Sequence, residues 1–386
     1  MWFFTSPRLV FGPGSIEFLA SLQARRALLI CDRELARRGV PARVEEHLRT
    51  GGGDVRLFAE VDPEPKVSTV ERALTAAKEF QPDVIVGLGG GSTLDVAKAT
   101  YALYERPDLG LMDLHPLTDM TLGQRAILVG IPTTSGTGSE ATWAVVLTEG
   151  EGGRKLELAH RELVPRWAIL DPDLAATMPP KVTTDTAADA LCHSIEAVAS
   201  DWSNPFSDAY AKQAVEILME ELPRTTGAKG VPSPTRESLH YAATMGGLAF
   251  GNAQVGIAHA MAHALGSKFP VPHGRASGLF LPYSVEFNFD AARERYQKLR
   301  SALGAPHVAS GHALADRIRT LWDQVGMSRT IPQALPISAP DFEKALPDLV
   351  SRADQSTCVS SNPRVPTTAE LERLFRAAWN GTRVDF

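Results

Sequence analysis

Asp189 and His193 stand four residues apart in Ala187-Ala188-Asp189-Ala190-Leu191-Cys192-His193-Ser194-Ile195-Glu196-Ala197, and His259-Ala260-Met261-Ala262-His263 repeats the spacing. On an α-helix, positions i and i+4 share a face, as two groups meeting one ion must. His273 follows in the turn Val271-Pro272-His273-Gly274. An aspartate and a histidine inside a run of Ala, Leu and Ile are costly to bury unless they are paired or metal-bound. One such histidine reads as a hydrogen-bonded core residue. Two spaced pairs plus a histidine at a Pro-His-Gly turn read as a metal site. Imidazoles with one carboxylate suit Fe²⁺ or Zn²⁺ and suit Ca²⁺ or Mg²⁺ poorly. His259 and His263 match the metalloprotease spacing, but Ala260 stands where the general-base glutamate of such an enzyme belongs.

A second set of residues points to a nucleotide. Gly89-Gly90-Gly91-Ser92 follows the apolar run Asp83-Val84-Ile85-Val86-Gly87-Leu88 and precedes a helical pattern. A glycine turn between strand and helix lets backbone N–H groups approach a diphosphate, with the helix N-terminus adding a favourable dipole. It is neither the GxGxxG fingerprint nor a Walker A loop. Lys98 follows a helical turn or so later, and Pro132-Thr133-Thr134-Ser135-Gly136-Thr137-Gly138-Ser139 closes the strand that ends at Ile131. Two such loops at the C-terminal ends of parallel strands would form the crevice where open α/β sheets bind ligands. Asp32 ends the strand Arg26-Ala27-Leu28-Leu29-Ile30-Cys31. A carboxylate there can accept hydrogen bonds from the ribose hydroxyls of NAD and repel the extra phosphate of NADP. It can equally serve as a helix N-cap.

These groups need elements to hold them. Apolar strands at 26–31, 83–88 and 126–131 alternate with helical patterns at 70–80 and 94–104, which implies crossovers and a parallel sheet. Gly51-Gly52-Gly53 reads as a structural loop. After Met178 helical spacing dominates, at 187–200, 208–222, 236–250, 256–266, 291–303 and 369–379, with a surface loop at 225–234. The expectation is an α/β domain over 1–178 and an all-helical domain over 179–386.

The 386 residues carry 39 basic and 45 acidic side chains, a net charge of −6, with 44% hydrophobic and 22% charged residues. That composition is globular, and it lacks the basic footprint of a nucleic-acid or membrane-surface binder. Cys31, Cys192 and Cys358 are too few and too scattered for a disulfide framework or a CxxC zinc site. With no signal-peptide pattern and no window of roughly 18 uninterrupted apolar residues, the expected setting is cytoplasmic.

Five segments in order resemble the iron-containing (group III) alcohol dehydrogenase family over essentially the whole chain. They are Pro7-Arg8-Leu9-Val10-Phe11-Gly12-Pro13-Gly14-Ser15, Gly89 to Lys98, Pro132 to Glu140, Asp189 to Glu196, and Gly247 through His259 and His263 to His273-Gly274. The resemblance implies NAD(P) on the α/β domain and Fe²⁺ or Zn²⁺ on the helical domain. It makes Asp189, His193, His259 and His273 the metal ligands, His263 a non-ligand catalytic histidine, and Phe250 a wall of the substrate pocket. It places the cofactor against Asp32, Gly89, Gly90, Gly91, Ser92, Asp95, Thr133, Thr134, Thr137 and Lys155. The implied reaction is hydride transfer between a small primary alcohol, or its aldehyde, and NAD(H), in a homodimer or higher homo-oligomer. A metal- and NAD-dependent lyase of the dehydroquinate synthase type, or a maleylacetate-type reductase, is the alternative on the same scaffold. Pro63-Glu64-Pro65 departs from the family's Pro-Asn-Pro, and the added acid disfavours NADP further. Ala144 replaces a polar cofactor contact, and Cys358, ahead of Asn362-Pro363-Arg364, is read as a buried structural thiol.

Overall fold

The computed structural model describes residues 3–150, 155–226, 230–305 and 309–386. The chain divides into two units, Thr5–Thr177 and Met178–Phe386, the second joined by Phe3 and Phe4.

The first unit contains β1 (Arg8–Phe11), β2 (Arg26–Asp32), α1 (Arg33–Arg37), α2 (Val40–Thr50), β3 (Asp54–Val61), α3 (Val67–Phe80) and β4 (Val84–Gly89). It continues with α4 (Gly91–Glu105), β5 (Ile127–Pro132), β6 (Ala144–Thr148), β7 (Lys155–Ala159), β8 (Trp167–Leu170) and α5 (Pro172–Ala175). Six strands form one sheet in the order β1-β8-β5-β4-β2-β3, and every pairing in it is parallel. Strands buried on both faces must be apolar throughout. Leu28 and Ile30 of β2 pack with Val70 of α3 and Val96 of α4. Ala27, Leu29 and Cys31 pack on the opposite face with Val44 and Leu48 of α2.

The strand order positions the site. The chain leaves β2 for β3 on one side and returns through α3 to β4 on the other side of β2. That reversal is a topological switch point, where the C-terminal strand ends part and a ligand can enter. Cys31 pairs with Leu88, and Gly89 with Pro132, so Asp32 and both small-residue loops lie at that one edge.

β6 and β7 form a separate antiparallel ribbon that the reading of parallel strands alone did not anticipate. The six residues between them are too few for a crossover, so only antiparallel pairing is open to them.

The second unit contains α6 (Pro180–Ala199), α7 (Pro205–Glu221), α8 (Ser233–Ala253), α9 (Ile257–Lys268), α10 (His273–Asn288), α11 (Arg293–Gln297), α12 (Gly311–Val325), α13 (Ile331–Ala334), α14 (Ala339–Asp354) and α15 (Thr368–Asn380), and no strand among the described residues. One apolar core joins α6, α7 and α8 to α12; another joins α9 and α10 to α14 and α15. The helix expected at 291–303 is shorter. Beyond Gln297 the chain tightens into three-residue turns, such as Leu299 N–H to the Tyr296 carbonyl and Gly304 N–H to the Ser301 carbonyl. The loop expected at 225–234 falls partly on 227–229, which lie outside the described residues. Within it Thr225 is fully buried, its hydroxyl 2.7 Å from that of Thr184 on α6.

Candidate metal centre and cofactor loops

α6 carries Asp189 and His193 on one face, α9 carries His259 and His263, and His273 opens α10 immediately after its N-cap residue, Pro272. The Ala-rich sequence of α6 is buried along most of its length, which lets neighbouring helices pack tightly around it. The result is a cluster in which Asp189, His193, His259 and His273 each bring a donor atom within 4.8 Å of the others. Asp189 Oδ1 lies 3.6 Å from His259 Nε2 and 3.4 Å from His273 Nε2, and Asp189 Oδ2 lies 4.0 Å from His193 Nε2. Tetrahedral bonds of about 2.1 Å separate ligand atoms by roughly 3.4 Å, so these spacings fit one ion.

Burial and electrostatics point the same way. The side chains of Asp189, His193 and His259 are 3%, 5% and 3% exposed, and that of His273 is 42% exposed, so the cluster opens at His273. Asp189 Oδ1 and His259 Nε2 are buried with no hydrogen-bond partner. Such orphans cost about 1–3 kcal/mol each, and an ion between them would remove the penalty. Burial alone would raise the Asp189 carboxyl, but the imidazoles of His273, His193 and His259 outweigh it and hold the group below the usual carboxylate range. Burial pushes His193 down to about 3 against the attraction of Asp189, leaving a neutral ring able to ligate. His259 is held up at about 9, because Glu196 and Asp189 together overcome its burial. Two buried carboxylates thus favour positive charge here, and three nitrogens with one oxygen suit Fe²⁺ or Zn²⁺.

The rings around the cluster are ordered by stacking. Phe250 lies over His193 with centroids 4.2 Å apart, and His193 lies over His259 at 4.6 Å. His263 stands outside the group of four, its ring 5.2 Å from that of His273 and 6.2 Å from that of His259.

The structure adds Glu196, which carries no role in the sequence reading. It sits seven residues after Asp189 on the same face of α6 and contacts His259 Nδ1 at 2.5 Å, while accepting the Ala258 N–H at 2.8 Å. A glutamate in an Ala/Ile run at that spacing was the available signal. Asn362 accepts the Ile257 N–H at 3.2 Å and is locked to Asn288 by two amide hydrogen bonds. Cys358, nearby in sequence, is a buried thiol that forms no disulfide.

In the first unit, β4 ends at Gly89, Gly90 caps α4, and no side chain occupies the cap. A Cβ on Gly90 would lie 3.3 Å from the Thr134 side chain, and one on Gly91 would lie 2.9 Å from that of Thr137, so the two loops meet directly. Thr133 N–H donates to the Gly89 carbonyl at 3.0 Å. The uncapped N-terminus of a fifteen-residue helix is a fit for a diphosphate.

Several expected cofactor residues are engaged within the protein. Ser92 donates its hydroxyl to the Pro63 carbonyl at 2.6 Å, beside exposed Glu64. Asp95 accepts the Ser139 hydroxyl at 2.8 Å and the Val146 N–H at 2.9 Å. Lys98, a helical turn or so beyond the glycine loop, is fully buried and donates to Ser139, Thr142 and the Ala144 carbonyl. Desolvation pulls its ammonium down to about 8 despite Asp95. Asp95 and Lys98 therefore brace the loops from behind. Asp32 caps α1 with one oxygen, accepting the Leu35 N–H at 2.8 Å. Lys155 on β7 donates to Thr148 across the ribbon at 2.8 Å.

Residues 6–172 match the family described as iron-containing alcohol dehydrogenase, and residues 183–379 match the C-terminal part of the same family. The NADPH-dependent butanol dehydrogenase of Clostridium saccharobutylicum is 36% identical over 390 residues, covering 99% of each chain. The structure of an iron-containing alcohol dehydrogenase from Thermococcus thioreducens superposes with a TM-score of 0.89 at 32% identity, covering 99% of this chain and 100% of that one. A sulfoacetaldehyde reductase from Bifidobacterium kashiwanohense, solved with NAD⁺, gives 0.85 at 26% identity and 98% coverage of both chains. No helix among the described residues is long and apolar enough to cross a membrane.

Proposed function

The chain belongs to the iron-containing alcohol dehydrogenase family and is an enzyme of that family, and from that premise we propose that it interconverts a small primary alcohol and its aldehyde using NAD(H) and one Fe²⁺ or Zn²⁺. The observation that carries the reading is the convergence of four donor atoms within 4.8 Å, two of them buried without hydrogen-bond partners.

Asp189, His193, His259 and His273 hold the ion in this reading. When bound, the ion supplies Lewis-acid polarisation of the alcohol or carbonyl oxygen, and the nicotinamide accepts or donates hydride. Asp189 contributes the one anionic donor and three imidazoles contribute neutral ones. Phe250 keeps the His193 ring in plane and presents an apolar wall to substrate. His263, part-exposed and outside the ligand set, carries a proton at a ring nitrogen between the site and solvent. Gly89, Gly90 and Gly91 bind the diphosphate at the α4 N-terminus, flanked by Thr133, Thr134 and Thr137. The Asp32 oxygen not used by the α1 cap accepts ribose hydroxyls, which selects NAD over NADP.

The butanol dehydrogenase relative supports a small alcohol as substrate; it is itself NADPH-dependent, so support for NAD comes from Asp32 and from the reductase solved with NAD⁺. Three buried cysteines, none of them in a disulfide, suit a reducing cytoplasm. β1, an edge strand exposing Leu9 and Phe11, suits pairing with a second copy as a homodimer. Replacing His259 with Ala tests the reading: the variant should lose both the ion and turnover, and full activity in it would end the assignment.

A further inference from the structure

We propose that Glu196 is a positioning residue, which holds His259 as the tautomer protonated on Nδ1 and so keeps Nε2 free for the ion. The inference rests on the metal-site reading given above and extends it to a residue that reading does not use.

The argument is one of donors and acceptors. Glu196 is 3% exposed at its side chain and has two close partners. Its Oε1 accepts the Ala258 main-chain N–H at 2.8 Å, and its Oε2 lies 2.5 Å from His259 Nδ1. A main-chain N–H can only donate, so Oε1 must accept. A carboxylate accepts at both oxygens, so His259 donates from Nδ1, and Nε2, the nitrogen that gives up its proton to take the ion, lies 3.6 Å from Asp189 Oδ1. Outer partners of this kind orient ligand imidazoles and fix their tautomer.

The surrounding chain is shaped for this reach. A Cβ on Gly256 would stand 2.9 Å from Glu196 Oε1 and 2.6 Å from Asn362 Oδ1, so only glycine leaves room for both acceptors at the start of α9. Asn362 accepts the adjacent Ile257 N–H, and together the two side chains hold the first turn that carries His259.

Glutamine has the size of glutamate and the wrong chemistry. If its oxygen keeps the Ala258 N–H, its amide donates to His259 Nδ1 and forces the proton onto Nε2, where the ion should bind. Alanine imposes no tautomer. The proposal therefore predicts two opposite orders: Glu196→Ala is the less stable protein, and Glu196→Gln is the weaker metal binder. A loss of about 10–100-fold in affinity is expected for Glu196→Gln.

The test is a competition titration of full-length, metal-stripped protein with Zn²⁺ against a chromophoric chelator, with thermal melts alongside. Wild type should take one Zn²⁺ per chain and His259→Ala should not. If wild type binds none, or His259→Ala binds as well as wild type, the four-residue site itself is overturned. If those controls hold but Glu196→Gln binds like wild type, or more tightly than Glu196→Ala, the positioning role is overturned alone. Should either Glu196 variant fail to fold, ¹⁵N-histidine spectra of Zn²⁺-loaded wild type decide. They should show a slowly exchanging Nδ1 proton on His259, and its absence overturns the proposal.

Discussion

Gly274→Ala should damage both stability and metal binding, although it adds one methyl group next to the proposed ligand His273 and removes no functional atom. Gly274 lies in the first turn of α10, against the main chain of α6. A Cβ there would overlap the Asp185 carbonyl oxygen and stand 2.8 Å from its carbonyl carbon and 3.0 Å from the Asp189 Cβ. Carbon contacts settle near 3.5–4.0 Å, so the contact with the carbonyl carbon alone makes the turn retreat by about 0.7–1.2 Å. Neither obstacle is the end of a flexible side chain that could swing away. Over-packing of this kind costs about 1–3 kcal/mol, and at roughly 2–4 °C per kcal/mol the melting temperature should fall by about 2–12 °C. The retreat also draws His273 Nε2 from its position 3.4 Å from Asp189 Oδ1. Zn²⁺ affinity should then drop about 10–100-fold, as for other disturbances just outside a ligand set. Gly266→Ala is the matched control. Nothing lies within 4 Å of a Cβ there, so the exchange within α9 should gain about 0.5–1 kcal/mol and leave affinity unchanged. A Gly274→Ala protein with wild-type melting temperature and affinity would refute the reasoning.

Three further outcomes are expected. Asp32→Gly costs the α1 cap only a few tenths of a kcal/mol, so its main effect should be on cofactor choice. The NADP-to-NAD ratio of kcat/KM should rise on the order of tenfold, and an unchanged ratio would remove Asp32 from the cofactor site. Lys98→Met deletes donors to Ser139, Thr142 and the Ala144 carbonyl and leaves Asp95 buried without its cation. Breaking a buried pair costs about 3–5 kcal/mol; a fall in melting temperature and weaker NADH binding by fluorescence titration should appear together. His312 bridges Glu286 and Asp385; burial is the largest single influence and lowers its affinity for a proton, but the hydrogen bonds and charges of the two carboxylates together outweigh it and raise the group above the ordinary 6.5. A folded-state pKa above the unfolded one stabilises fully below the unfolded value and is lost as pH rises through the folded one. The melting-temperature gap between wild type and His312→Ala should therefore be widest below pH 6.5 and close as pH rises, and a gap that widens instead would contradict the contact.

Much of the site was legible because its signals are local. The i, i+4 pairs at Asp189/His193 and His259/His263 need only a helix to put both groups on one face, and apolar strands ending in small residues need only a parallel sheet. What was hidden depends on contacts between distant segments. Lys98 is just a lysine a helical turn beyond the glycine loop until β6 is placed beside α4, where it becomes a buried brace. Glu196 sits in plain view beside the proposed ligands, yet its contact with the α9 N-terminus appears only when Ala258 arrives 62 residues later in the chain. The ribbon of β6 and β7 escaped because five-residue strands with mixed burial resemble any half-exposed segment. The helix expected at 291–303 has helical spacing, but local turns win beyond Gln297.

The most direct test of the central claim is anaerobic reconstitution of metal-stripped enzyme with Fe²⁺ or Zn²⁺, followed by NADH absorbance with a panel of small primary alcohols and aldehydes. The account predicts one ion per chain, turnover that returns with the ion, and loss of both in His259→Ala. Undiminished turnover by metal-free protein would contradict it, as would tight binding of metal and NADH with no turnover on any member of the panel.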